Sequence, residues 1–395
     1  MSIRELVEFF YINQELLKNI SILYFGKGTN EFKFQNILSY KKDNKFSIDS
    51  INGKQSFLWL NTSIVKEMVE HTTSSIYYNN CIYLDTQVIS YLMKLLKTRD
   101  KDQTPLLKDT YEILYYLKER NTDFSAIPYL MENSTKINNS KILIPMFENL
   151  TIYDFYMGIS FSDFINLFEN ENTKMNLDFQ KTDETISIIR HMSVDPYTRK
   201  LLETQKAIQC LLLHTSLLSL KTDKTLAEKI ESLYEFSHHS ICSFLERELI
   251  ICYRFLKNSN DPLVQKFFKK IKIGSKNISG AILGMSWDLF HIRMLAMNMI
   301  STDNEPENLD MHSLLTFDKG MSEVLQIHPV KMLIFINSTP YWIFKQSIKE
   351  IITEVDILEY YTPLKKEERA KKRLTEINYD NLITCLQNEL TQFKK

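Results

Sequence analysis

Cys81-Ile82-Tyr83-Leu84-Asp85-Thr86-Gln87-Val88-Ile89-Ser90-Tyr91-Leu92 is the stretch around which the chain is organised. Ile82 to Leu84 is an apolar, β-prone run that ends in an aspartate. A polar turn follows, and Leu92, Leu95 and Leu96 continue a helical pattern. The segment reads as strand, turn and helix, with Asp85 at the carboxyl end of the strand. Ligands of α/β sheets bind in the crevice at that end, which makes the carboxylate a candidate for chemistry. The competing role is a cap on the following helix. Downstream, Leu314-Leu315-Thr316-Phe317-Asp318-Lys319-Gly320 has the same form, a short apolar strand closing on an aspartate. Before it, Trp287-Asp288-Leu289-Phe290-His291 opens another apolar helix, and the spacing of Asp288 and His291 puts them on one helix face.

Composition bounds what surrounds these stretches. A chain of 395 residues, 44% hydrophobic and 12% aromatic, has enough apolar surface for a large core and allows two or three domains. Only 8 glycines and 9 prolines argue for a mainly helical chain with a small sheet, and no Gly-rich phosphate loop is present. A net charge of −1 excludes a basic nucleic-acid coat but not a local basic patch. Cys81, Cys210, Cys242, Cys252 and Cys385 form no C-x-x-C pair and read as free thiols of a reducing compartment. The charged N-terminus is unlike a signal peptide, and no uncharged apolar run is long enough to span a bilayer, so a cytoplasmic protein without membrane partners is expected.

Taken in order, residues 4–24 carry apolar positions at near-helical spacing, and short strands are expected at Phe32 to Phe34 and Ser56 to Leu60. A helix from Ala126 to Lys136 carries Glu132. Glu148 follows in a segment that packs. Asp195-Pro196 and Asp261-Pro262 each start a helix, and Thr225-x-x-Glu228 is a capping-box signature opening a helix that reaches Lys257. Val330 to Ile336 reads as a last buried strand, and the tail beyond 340 as charged helix. His238-His239 with Glu246 and Glu248 lack metal-ligand spacing and read as structural. Lys266, Lys269, Lys270, Lys272 and Lys276 form a basic cluster, in most proteins a solvated face and here a candidate guide for a phosphate backbone.

The three strand and helix stretches, in this order, resemble the PIN domain, a family of metal-dependent nucleases. Tyr83-Leu84-Asp85-Thr86-Gln87-Val88-Ile89-Ser90-Tyr91-Leu92 is similar to the family's opening strand, with Gln87 where Asn is usual. Asp288 leading a helix and Thr316-Phe317-Asp318 closing a strand match the late signature. Glu132 is the best match for the family's helical glutamate, with Glu148 as the alternative. A long insertion separates the first two acids from the last two. The resemblance implies an α/β fold, a small, mostly parallel sheet flanked by helices, with a large all-helical insertion and helical terminal extensions. The expected division is 1–75 as an N-terminal extension, 76–150 and 276–337 as the two parts of the PIN-like domain, 151–275 as the insertion and 338–395 as a C-terminal helical extension.

The resemblance further implies an endonuclease that hydrolyses phosphodiesters, RNA ahead of DNA, with Mg²⁺ or Mn²⁺ held by Asp85, Glu132, Asp288 and Asp318. Hard cations take oxygen ligands, and a bound pair activates water and neutralises the leaving oxygen. Thr86 and Thr316 would orient carboxylates, His291 would sit at the rim, and Lys269, Lys270 and Lys272 would contact nucleic acid. The insertion is a candidate for recognising substrate or a regulatory protein partner. The rival expectation is a catalytically inactive PIN-like scaffold that binds RNA or protein.

Overall fold

A computed structural model describes residues 3–26, 35–36, 40–42, 46–51, 56–71, 77–170, 173–271, 277–297, 308–318, 320–337, 339–374 and 377–392. The chain forms two compact units. The first comprises Met1–Asp195, Arg293–Asp318 and Val330–Ile343, and the second Pro196–Ile292, Lys319–Pro329 and Phe344–Lys395.

The first unit starts with α1 (Ile3–Ile12) and α2 (Gln14–Leu17), followed by β1 (Ile20–Gly26), β2 (Gln35–Asn36), β3 (Tyr40–Lys42), β4 (Phe46–Ser50), β5 (Ser56–Leu60) and α3 (Thr62–His71). Next come β6 (Tyr77–Leu84), α4 (Thr86–Thr98), α5 (Pro105–Glu119), β7 (Asp123–Ser125), α6 (Ile127–Ser134), α7 (Ser140–Gly158), α8 (Phe161–Glu169) and α9 (Phe179–Val194). Strands β8 (Asn308–Thr316), β9 (Val330–Ile336) and β10 (Thr339–Phe344) return from later in the chain.

These strands make two sheets, ordered β10-β9-β1-β5-β2 and β3-β4-β8-β6-β7. In the second sheet β6 runs parallel to both β7 and β8, with Leu84 opposite Leu315, and β4 adds antiparallel to β8, with Ser47 opposite Thr316. Helices α4 and α5 supply the crossover that a parallel β6–β7 pair requires. In the first sheet β1 is antiparallel to both β5 and β9, and β2 to β5. The fold is therefore α/β and rich in helix, but the expectation of a mostly parallel sheet is corrected, since among the described residues parallel pairing is seen only for β6 with β7 and β8. Residues 1–75 supply strands to both sheets, and the expected 150/151 boundary falls inside α7.

Local chemistry explains the elements around β6. Ile82, Tyr83 and Leu84 are buried, and α4 presents Val88, Ile89, Leu92, Leu95 and Leu96 as one fully buried stripe. Asp85 caps α4 by accepting from the Val88 amide at 2.8 Å, and Arg99 closes it in the left-handed region at φ 50°. Leu92→Ala would remove packing worth about 2–5 kcal/mol at such a site. The expected helix over 4–24 ends early. The β-branched and aromatic run from Ile20 to Phe25 favours a strand and is paired on both sides by β5 and β9. Strands at Ser56–Leu60 and Val330–Ile336 form as expected. The expected strand at Phe32 to Phe34 lies outside the described residues.

The second unit contains α10 (Pro196–Leu220), α11 (Leu226–His239), α12 (Glu246–Lys257), α13 (Pro262–Phe268), α14 (Ile278–Met297, whose last residues belong to the first unit), α15 (Met321–Val324), α16 (Ile348–Ile351), α17 (Pro363–Leu374) and α18 (Tyr379–Gln392). The Thr225–Glu228 capping box is present. The single helix expected from Thr225 to Lys257 is instead two, because the chain turns between them through Cys242 at φ 47°. All five cysteines are free. Among the described residues no helix is long and apolar enough to cross a membrane.

Candidate functional site

Adjacent parallel strands β6 and β8 end together, and their ends bring Asp85 to Thr316. The Asp85 amide donates to the Leu315 carbonyl at 3.2 Å, which fixes the two termini side by side. The Thr316 hydroxyl is almost fully buried and is used twice. It hydrogen-bonds the Asp85 carboxylate, and it accepts from the Asp318 amide at 3.0 Å. Asp85 is half-buried as a residue, yet burial of its carboxyl is the strongest influence on its ionisation. That burial, with the nearby Asp318 charge, pushes its pKa up to about 6, against the opposing pull of Thr316 and the Val88 and Gln87 amides. Asp85 thus caps α4 and is at the same time a perturbed carboxylate.

Glu132 reaches the same neighbourhood from α6. Its Oε2 accepts from the Thr86 hydroxyl at 2.6 Å and its Oε1 from Lys136 Nζ at 2.8 Å. Thr86 immediately follows Asp85, so the bond ties α6 to the start of α4. Glu148, the alternative acid, projects from α7 and pairs with Lys97 on α4 at 2.9 Å, with both side chains about half exposed. Between the two candidates, Glu132 is the one joined to the β6 terminus.

The remaining expected site residues lie in the second unit. Asp288 occupies the middle of α14 rather than its start, and its carboxylate pairs with Lys270 at 2.8 Å. Lys269 is exposed at the end of α13, Lys266 is paired with Glu323, and Lys272 lies outside the described residues. The expected metal ligand and one expected nucleic-acid lysine therefore neutralise each other. His291 is 3% exposed among the rings of Trp287 and Phe290, which corrects its expected place at a rim.

Among the described residues, the one set of three or more His, Cys, Asp or Glu side chains with ligand atoms all within 4.8 Å is His238, His239 and Glu368. Asp85, Glu132 and Asp318 are linked through Thr86 and Thr316 without forming such a set. The histidine cluster is already engaged by cationic side chains. Arg369 can only donate, and its NH1 lies 3.2 Å from His238 Nδ1, so Nδ1 is the acceptor and Nε2 carries the hydrogen. A metal on Nε2 needs a lone pair there. Glu368 is meanwhile held by Lys372 at 3.1 Å and Lys365 at 3.4 Å, which pull its pKa down to about 2. The cluster is a polar staple between α11 and α17, in keeping with a structural role for His238 and His239. Glu246, grouped with them in sequence, pairs instead with His328 at 3.0 Å.

The Glu132–Lys136 pair was within reach of sequence reasoning, because residues four apart face each other on a helix. The Thr86–Glu132 bond was not, since it depends on where α6 packs. No protein-family model, no curated protein and no solved structure matches this chain.

Proposed function

We propose that the first unit is a PIN-like, Mg²⁺- or Mn²⁺-dependent nuclease of the cytoplasm, acting on RNA ahead of DNA, with Asp85 at its centre. The observation that carries this reading is the meeting of Asp85, Thr316 and Asp318 at the carboxyl ends of two neighbouring parallel strands. Oxygen donors suit a hard cation, and Mg²⁺ is commonly held by one or two carboxylates while it keeps several waters. Asp85 and Asp318 meet that requirement without a third carboxylate beside them. A bound divalent ion would supply an activated water and neutralise the leaving oxygen. Thr316 positions the Asp85 carboxylate, and Glu132, paired with Lys136, holds the Thr86 hydroxyl next to it in the chain.

The direct test is cleavage of a labelled RNA with Mn²⁺. Asp85→Asn should abolish cutting, and Glu119→Gln, a surface change, should leave it at the parental rate. An Asp85→Asn protein that cuts as fast as the parent removes this site from the chemistry. The scaffold reading draws on a specific observation too: Glu132 and Asp288 are each already neutralised by a lysine. It predicts a parent protein that binds RNA and cuts none with either metal.

A further inference from the structure

Lys266 and Lys270 of the basic cluster expected to guide nucleic acid are occupied by acidic partners, but another helix carries cations that are not. Helix α4, Thr86 to Thr98, contains no acidic residue. Its buried stripe faces the core, and its solvent stripe runs from Gln87 through Ser90 and Tyr91 to Lys94, Lys97 and Thr98, with Lys101 just beyond. Lys97 is compensated by Glu148. Lys94 and Lys101 have no carboxylate partner among the described residues. Each instead rests its ammonium over a tyrosine ring, Lys94 at 4.6 Å from the centre of Tyr91 and Lys101 at 4.4 Å from that of Tyr111. Asp102 is taken by Lys108, and Asp100 accepts from the Asp102 amide.

The stripe begins at the candidate site. The Tyr91 ring stands edge-on to Phe317, 5.6 Å away, and Phe317 lies between Thr316 and Asp318. Side chains on a helix lean toward its N-terminus, so Tyr91 and Lys94 both incline toward the turn that carries Asp85. Alternating rings and uncompensated cations are what a single-stranded polynucleotide needs, since bases stack on aromatic faces while ammonium groups follow the phosphates. We infer that the outer face of α4 is the lane along which single-stranded nucleic acid approaches Asp85, with Lys94 and Lys101 on phosphates and Tyr91 as a stacking platform. This rests on the nuclease reading for its purpose, but binding along the lane needs no metal.

The test is fluorescence anisotropy of the full chain with labelled oligo(U) and oligo(dT) of about 15 nucleotides, in EDTA, across a salt series. Each lysine withdrawn from a phosphate should flatten the log–log salt slope by about 0.7, so Lys94→Gln with Lys101→Gln should flatten it by roughly 1.4 and weaken binding about 10- to 30-fold at ~0.1 M salt. Tyr91→Ala should weaken binding with an unchanged slope, and Tyr91→Phe should restore it. A parent that binds neither oligonucleotide, or a double variant with the parental slope, overturns the lane. Oligo(U) bound more tightly than oligo(dT) assigns the lane to RNA, and equal binding assigns it to either polymer. Asp85→Asn separates the two ideas. Unimpaired cutting by it, with the lane slope flattened as stated, removes the metal site and keeps the lane, whereas abolished cutting with an unaltered lane slope does the reverse.

Discussion

The first unit places carboxyls where burial raises their pKa, Asp85 at the strand ends and Asp154 on α7. The second does the opposite with its bases. His214, stacked on Phe236 at 4.2 Å, is pushed down to about 4 by burial, and His238, beside Arg369, is also lowered by burial. Its perturbed acids are lowered, Asp261 by Arg254 and Glu354 by Lys257 and Tyr253 against the opposing effect of burial, Glu368 by Lys372 and Lys365, and Glu228 by Thr225. Asp85 and His214 therefore respond to protons in opposite senses. A carboxyl raised from 3.8 to about 6 binds its proton more tightly when folded, so its unit is most stable below the lower value and loses stability as pH climbs to the upper one. A histidine lowered from 6.5 to about 4 contributes stability that is whole above 6.5 and is lost as pH falls toward 4. The second unit pairs its lowered acids with cationic or hydroxyl partners, whereas hydrogen bonds oppose the burial of Asp85, and that contrast directs the search for chemistry to Asp85.

The largest expected effect tests the second unit. Its shift of His214, taken at face value, is worth about 3 kcal/mol. Hydrogen exchange on the full chain should show the helices α10 to α12 losing protection between pH 6.5 and 4.5, and His214→Gln should flatten that loss. Unchanged pH dependence in the variant would break the comparison on this side. Next in size, Asp318→Asn removes a charge that raises the Asp85 pKa, and the Asp85 titration, followed by carboxyl NMR, should move downward. A titration that stays in place would mean burial alone sets it. Smallest is Thr225→Ala, which deletes a capping box and should cost about 1 kcal/mol in the second unit at any pH. A pH-dependent loss there would show that caps as well as histidines set the acid response.

Much of the local structure was legible in the sequence. The strand–Asp–helix form at Asp85, the Thr225 box, β5 and β9 all carry their signals within a few residues. The antiparallel sheet was not, because it arises from β1 finding a partner at Ile334 that no local pattern announces. The break between α11 and α12 was hidden for a different reason. A cysteine takes the left-handed turn at 242, and composition marks such turns only when glycine or asparagine fills them. The site shows the same limit. Asp85, Thr316 and Asp318 could be placed together from two strand endings. Lys270 read as a phosphate guide because its partner, Asp288, lies on α14, 18 residues further along the chain. A lysine's availability depends on what faces it, and that is a tertiary fact.

Asp85 is proposed as a buried carboxylate kept for a cation. Melting curves of the parent and Asp85→Asn at pH 7.5, with EDTA and with Mn²⁺, test it most directly. Asparagine caps a helix as well as aspartate does, so the cap survives the substitution. Without metal the variant should be more stable than the parent, by up to about 3 kcal/mol for a pKa raised from 3.8 to about 6, and the gap should close near pH 4. Mn²⁺ should stabilise the parent by about 2.7 kcal/mol at 100 times Kd and the variant by much less. Equal metal responses in the two proteins, or a variant less stable than the parent in EDTA, would contradict the claim and leave Asp85 as a helix cap alone.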